Sequence, residues 1–120
     1  MTEDEYDAFC NGLPATTHVT QWGNSSVWKV GGKVFAIAGW NKTRSKLGIS
    51  FKVSDLSFAI LQEQPGLRPA PYLASRGMTW IQDYADPGLD DEGLKLYLRE
   101  SHRLVADGLS RQRRKDLGLD

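Results

Sequence analysis

The dipeptide Gly31-Gly32 stands between two runs of β-forming residues, "SVWKV" and "KVFAIAGW". Two glycines make the shortest link that antiparallel strands accept, because both loop positions need positive φ and glycine takes it without a Cβ clash. Such a link sets a register in which Val30 opposes Lys33, Lys29 opposes Val34 and Trp28 opposes Phe35. Opposed residues share a face of the sheet, so Trp28, Val30, Phe35 and Ile37 are expected together on one apolar face. The next run, "KLGISFKV", extends that face with Leu47, Ile49, Phe51 and Val53, which alternate with Gly48, Ser50 and Lys52. Upstream, "THVTQWG" reads as a further strand. The turn from Gly23 to Ser26 admits more than one register there. With Asn24-Ser25 as the loop, Trp22 opposes Val27 on the other face.

Helical periodicity flanks these strands. In "TEDEYDAFCNGL", Thr2 with Glu5 three residues on forms a capping box. Tyr6, Phe9, Cys10 and Leu13 recur at three- and four-residue spacing as a buried stripe. Ser54 caps a second helix, "DLSFAILQE", which Pro65-Gly66 ends. A proline-rich connection, "GLRPAPYLASRGM", leads to a fifth strand, "TWIQDYA". From about Asp90 to Lys115 a long helix is expected, with Leu94, Leu98, Ser101, Val105 and Leu109 on one stripe and a break allowed at Gly108. The order α-β-β-β-β-α-β-α predicts an α+β fold: an antiparallel sheet of about five strands with helices packed on one face.

Length and charge narrow the function classes. The 120 residues suit one domain, 1–120. The lone Cys10 leaves no intrachain disulfide, which points to a reducing cytoplasm. The acidic start "MTEDEYDAF" has no apolar run of the kind a secretory signal carries, and no stretch reaches the ~20 apolar residues of a membrane span. Net charge is zero, but its distribution is uneven. Between Asp7 and Asp55 there is no acidic residue, while Lys29, Lys33, Lys42, Arg44, Lys46 and Lys52 fall in that interval. A second basic stretch runs from Arg99 to Lys115. Blocks of opposite sign suggest separate faces.

Three segments, "WGNSSVWKVGGKVFA", "PAPYLASRGMTWI" and "YLRESHRLVADGLSRQRR", resemble in order and spacing the MmcQ/YjbR family. The resemblance covers nearly the whole chain. It implies a CyaY-like α+β architecture, also likened to secretion chaperones, and a predicted DNA-binding role with a double-wing motif. It supplies no catalytic residues. One departure stands on the last helix, where Ser101-His102 replaces the Ser-Tyr common among relatives.

The residues offer two readings of a site. In the first, a small non-enzymatic protein binds duplex DNA. Lys42, Arg44 and Lys46 in the loop Trp40-Asn41-Lys42-Thr43-Arg44-Ser45-Lys46 would contact phosphates, with Trp40 available for stacking. Arg111, Arg113, Arg114 and Lys115 at the basic C-terminal end would add to them. Replacing the three loop cations is then expected to leave the melting temperature unchanged, as for exposed charges generally. The same loop also reads as a solvated hairpin tip, and the C-terminal cations as complements to a helix dipole. In the second reading the chain is a protein-, peptide- or small-ligand-interaction module. Its groove would lie at the Pro69–Trp80 loop, with Tyr72, Arg76 and Trp80 as lining. No metal or cofactor is expected, because His18, His102 and Cys10 lack ligand spacing. The acids Asp83, Asp86, Asp90, Asp91 and Glu92 read as a loose cation binder or, more simply, as a loop followed by helix-capping residues.

Overall fold

The computed structural model describes residues 1–40 and 46–119, with Trp40 described by its backbone alone. A helix, α1 (Glu3–Asn11), precedes four strands: β1 (Thr16–Gln21), β2 (Ser25–Val30), β3 (Lys33–Trp40) and β4 (Leu47–Lys52). Helix α2 (Asp55–Leu61), strand β5 (Leu67–Pro69), a short 3-10 turn (Ala74–Arg76) and strand β6 (Trp80–Asp83) follow, and α3 (Asp91–Asp107) and α4 (Arg111–Asp116) close the chain. The sheet has six strands in the order β1-β2-β3-β4-β6-β5, with every neighbouring pair antiparallel. The α+β class and the packing of helices on one face match the expectation. The sixth strand is β5, whose three residues were too few to show a period amid the prolines.

Local chemistry sets the element ends. Thr2 and Glu5 form the reciprocal capping box on α1, and the Ser54 hydroxyl accepts from Ser57 N at the start of α2. Gly31 and Gly32 take φ of 60° and 80° in the β2–β3 turn. A Cβ on Gly31 would also lie 2.6 Å from Leu109 Cδ1, so the turn and the end of α3 are fitted together. The expected long last helix is two helices. Gly108 ends α3, and Ser110 begins α4 by accepting from Arg113 N.

The registers carry two corrections. Trp28 pairs with Ala36 rather than Phe35, because a β-bulge separates the Trp28 and Lys29 pairings and leaves Phe35 as the extra residue. Gln21 pairs with Ser25, so Trp22, Gly23 and Asn24 form a three-residue turn and Trp22 does not oppose Val27. On the core face Trp28, Ala36, Phe51 and Ile81 stand in line across four strands. Tyr6 and Cys10 from α1, and Leu94, Leu98 and Val105 from α3, cover them. Tyr6 is fully buried and its hydroxyl donates to Ser26 O at 3.0 Å.

The bulge has a consequence at the edge of the β3–β4 ladder. The last pair is Ala36 with Phe51, so Phe35 O and Lys52 N have no partner in the ladder. The hydroxyl of buried Ser101 fills the gap. It donates to Phe35 O at 2.7 Å and accepts from Lys52 N at 2.8 Å. Replacing Ser101 with alanine orphans both groups, each at a cost of about 1–3 kcal/mol. Ser101→Ala is therefore expected to lower unfolding free energy by about 3 kcal/mol in urea melts. A loss below about 0.5 kcal/mol, the usual size of a surface substitution, would show that the sheet does not depend on this bridge.

Candidate functional site

Two of the basic-loop residues, Lys42 and Arg44, lie outside the described residues, as does the side chain of Trp40. Lys46 is described, and it is engaged within the fold. Its Nζ lies 2.8 Å from Oδ1 of Asp83 and 3.5 Å from Oδ1 of Asp86, and it donates to Ala85 O at 3.1 Å. Asp83 is 1% exposed, and its other oxygen accepts from Leu89 N. A buried carboxylate needs a counter-charge, and Lys46 supplies it. Gly88 packs directly on the pair: a Cβ there would lie 2.7 Å from Asp83 Oδ1 and 2.8 Å from Lys46 Nζ.

At the C-terminal end Arg111, Arg113 and Lys115 are exposed, whereas Arg114 is half-buried and donates to Asp107 O. Arg114 thus holds α4 against α3 and is not a free phosphate contact. Leu109 sits on Gly31, which places the start of α4 at the β2–β3 turn. Lys46 adjoins Leu47, which pairs with Trp40 at the other end of β3. Seven residue steps along a strand span about 23 Å at ~3.3 Å per residue. Lys46, the described cation of the loop, therefore stands at the opposite end of β3 from the start of α4.

The acids, the two histidines and Cys10 are engaged within the fold. Asp90 caps α3 by accepting from Gly93 N, and Asp91 pairs with the terminal amine of Met1. Ser26, nearly fully buried, donates to Asp7 Oδ1 at 2.6 Å, and His18 Nε2 stands 2.8 Å from its oxygen. Trp28 Nε1 also donates to Asp7 Oδ1, so this group ties α1 to the β1–β2 ladder. Burial pushes the Cys10 thiol well above the usual range, which removes it as a nucleophile. His102 Nε2 contacts Pro14 O at 2.8 Å, and its ring meets Phe35 edge to face. Among the described residues no group of three or more His, Cys, Asp or Glu side chains is placed to hold a metal, and no helix is long and apolar enough to cross a membrane.

A cleft of about 450 Å³ opens where outward-facing residues of β3, β4 and β6 meet the C-terminal end of α3. Its floor is Val34 and Ile37 of β3 with Trp80 of β6; Leu73 and Met78 form one wall, and Leu104 and Val105 of α3 the other. The bulge explains the floor. Val34 pairs with Lys29 and Ile37 with Val27, so these two β3 residues, three apart, face the same way. That corrects Ile37, expected in the core. Trp22, 61% exposed with φ of 52°, stands at the mouth. A bulky residue held at positive φ is an outlier of the kind found at functional sites.

Three polar features mark the cleft. Lys33 and Lys52 line it, and among the described residues neither has an ion-pair partner. Among the described residues no acidic side chain lines it. Trp80 is 3% exposed, and among the described residues no group accepts from its buried indole Nε1–H. Of the expected groove residues, Trp80 is therefore in place. Tyr72, 84% exposed, and Arg76, also exposed, are not among the lining: the connection turns them to solvent and presents Leu73 and Met78 instead. The sequence reading missed Trp22, Lys33, Lys52, Leu104 and Val105 as lining. The one available signal was the outward half of the β alternation, which put Lys52 opposite the core set.

A family model, YjbR, matches residues 11–104. Among solved structures the chain is similar to the Deinococcus radiodurans protein DR2400, described with the domain DUF419, at 26% identity and a TM-score of 0.83, over 99% of this chain and 89% of that one. It is also similar to a protein from Pseudomonas syringae at 18% identity and a TM-score of 0.68, over 88% of this chain and 99% of that one, which shows a shared fold. Comparison with curated proteins gives no match.

The Lys46–Asp83 pair reverses the stability expectation for the basic loop. Lys46→Met leaves a buried carboxylate unpaired and is expected to cost about 3 kcal/mol in thermal or urea unfolding. Adding Asp83→Asn, which removes the charge but keeps an acceptor for Leu89 N, should recover most of the loss. Additive losses in the double variant would show that the two side chains do not act as a pair.

Proposed function

The chain belongs to the YjbR family, and on that premise we propose that it is a non-enzymatic binding module which takes a small apolar molecule into the cleft beside the Leu73–Met78 wall. The observation that carries this reading is the lining of the cleft: Val34, Ile37, Leu73, Met78, Trp80 and Leu104 make it apolar, and Lys33 and Lys52 are its charged groups among the described residues. The volume lies in the range of small-molecule sites, and the lining has the usual make-up of apolar side chains with few polar groups. The lone Cys10 supports placing the protein in a reducing cytoplasm. Duplex DNA binding has less support, because Lys46 neutralises Asp83 and stands at the opposite end of β3 from the start of α4.

A neutral fluorophore, N-phenyl-1-naphthylamine, tests the cleft without relying on charge. Burying on the order of 200 Å² of its surface gives roughly 5 kcal/mol, hence a Kd near 0.1 mM. Saturable enhancement is expected in the wild type. Ile37→Glu should weaken it about tenfold or more while leaving the unfolding midpoint within about 0.5 kcal/mol of wild type, since Ile37 is half-buried on the open face. No enhancement, or equal enhancement in the variant, would sink the reading. A dimer in sedimentation that Ile37→Glu dissolves would assign the cleft to a second copy of the chain. Anisotropy with labelled duplex across a salt series decides the DNA reading, which requires a slope of log K against log salt near −3 to −4 for about four phosphates.

A further inference from the structure

We infer that the cleft selects an amphipathic carboxylate, with its head group at the Lys33–Lys52–Trp80 end and its apolar body toward Ile37 and Trp22; this rests on the cleft being a ligand site. The strand registers grade the cleft in this direction. Lys52 pairs directly with Trp80 across β4 and β6, so an ammonium and the orphan indole N–H stand on neighbouring strands. Lys33 opens β3 beside the same end of β4, two residues before Phe35, whose carbonyl is joined to Lys52 N through Ser101. Ile37 lies four residues further along β3, opposite Val27. Trp22 lies in the β1–β2 turn, whose closing residue Ser25 approaches Gly39. One end therefore carries two lysines beside Trp80, and among the described residues the lining toward the other end, Ile37 and Trp22, is apolar.

The charge state of the head group follows from what lines that end. Two ammoniums without counter-charges, and no acid in the lining, repel a cationic ligand and leave a neutral one with unused donors. A carboxylate has the acceptor capacity for both kinds of donor. A phosphate dianion suits the site less well. Among the described residues the lining holds no Arg fork, and the helix end it meets is the C-terminal end of α3, at Gly108, where the dipole is negative.

Titration calorimetry with octanoate, octan-1-ol and octylamine reads the preference directly, because the three share one apolar body. Octanoate is expected to bind about tenfold or more tighter than octanol, with octylamine weakest, the scale set by charge-assisted hydrogen bonds. In the variant Lys33→Met/Lys52→Met the preference of octanoate over octanol should fall to near unity; among the described residues neither lysine has an ion pair, so the fold is expected to tolerate the change. Trp80→Phe should weaken octanoate more than octanol, and near-UV circular dichroism confirms that the variant is folded. Octanol or octylamine matching octanoate, or a preference that survives in the lysine double variant, would overturn the carboxylate inference and leave the cleft reading standing. Failure of all three octyl compounds together with the neutral fluorophore would overturn both.

Discussion

One hydroxyl holds the architecture to its course. Where the bulge at Phe35 pulls β3 out of step with β2, the β3–β4 ladder ends early, and Ser101 bridges the two backbone groups left over. The bridge comes from the middle of α3, so the same contact docks the helix on the sheet. The bulge turns Phe35 fully into the core and sets both Val34 and Ile37 on the opposite face. Helix seat, core and cleft floor thus share one cause. A serine suits this position because it is small enough for close approach and supplies one donor and one acceptor at once.

The electrostatics show why a charge map along the chain misleads. Lys46 sits within an interval free of acids, and the linear pattern makes it part of a basic tip. Its partner, Asp83, lies on β6, brought near because Ile49 of β4 pairs with Asp83. Burial of Asp83 then makes the pair a requirement of the fold rather than a surface ornament. Lys33 and Lys52 belong to the same acid-free interval and keep their charges uncompensated. Three lysines of one sequence block thus divide into a structural one and two that face an apolar cleft.

The cleft joins features that earn little notice singly. Exposed tryptophans, half-buried aliphatics and free lysines are common on protein surfaces. Here Trp22 is held at positive φ beside the floor, Trp80 keeps a buried donor unmatched, and the two lysines stand at one end. The DNA reading asks for Lys46 and the C-terminal arginines on one surface, whereas Lys46 pairs with Asp83 at the opposite end of β3 from α4.

How much of this was legible in the sequence differs by range of interaction. Short-range chemistry determined the capping box at Thr2 and Glu5, the Ser54 cap, the Gly31-Gly32 turn and the buried stripe of α1, because each depends on residues within a few positions. Alternation also determined the core set of β4. The family resemblance held over residues 11–104, and with it the α+β class. The bulge was not legible, since one extra residue in a strand leaves no mark on local propensity and is selected by what packs across it, here α3 and Ser101. The same holds for the Lys46–Asp83 pair and for the exclusion of Tyr72 and Arg76 from the cleft. Backbone preference and capping are local energies, readable in order along the chain. Which lysine meets a carboxylate, and which tryptophan lacks an acceptor, is decided only when strands distant in sequence are laid side by side.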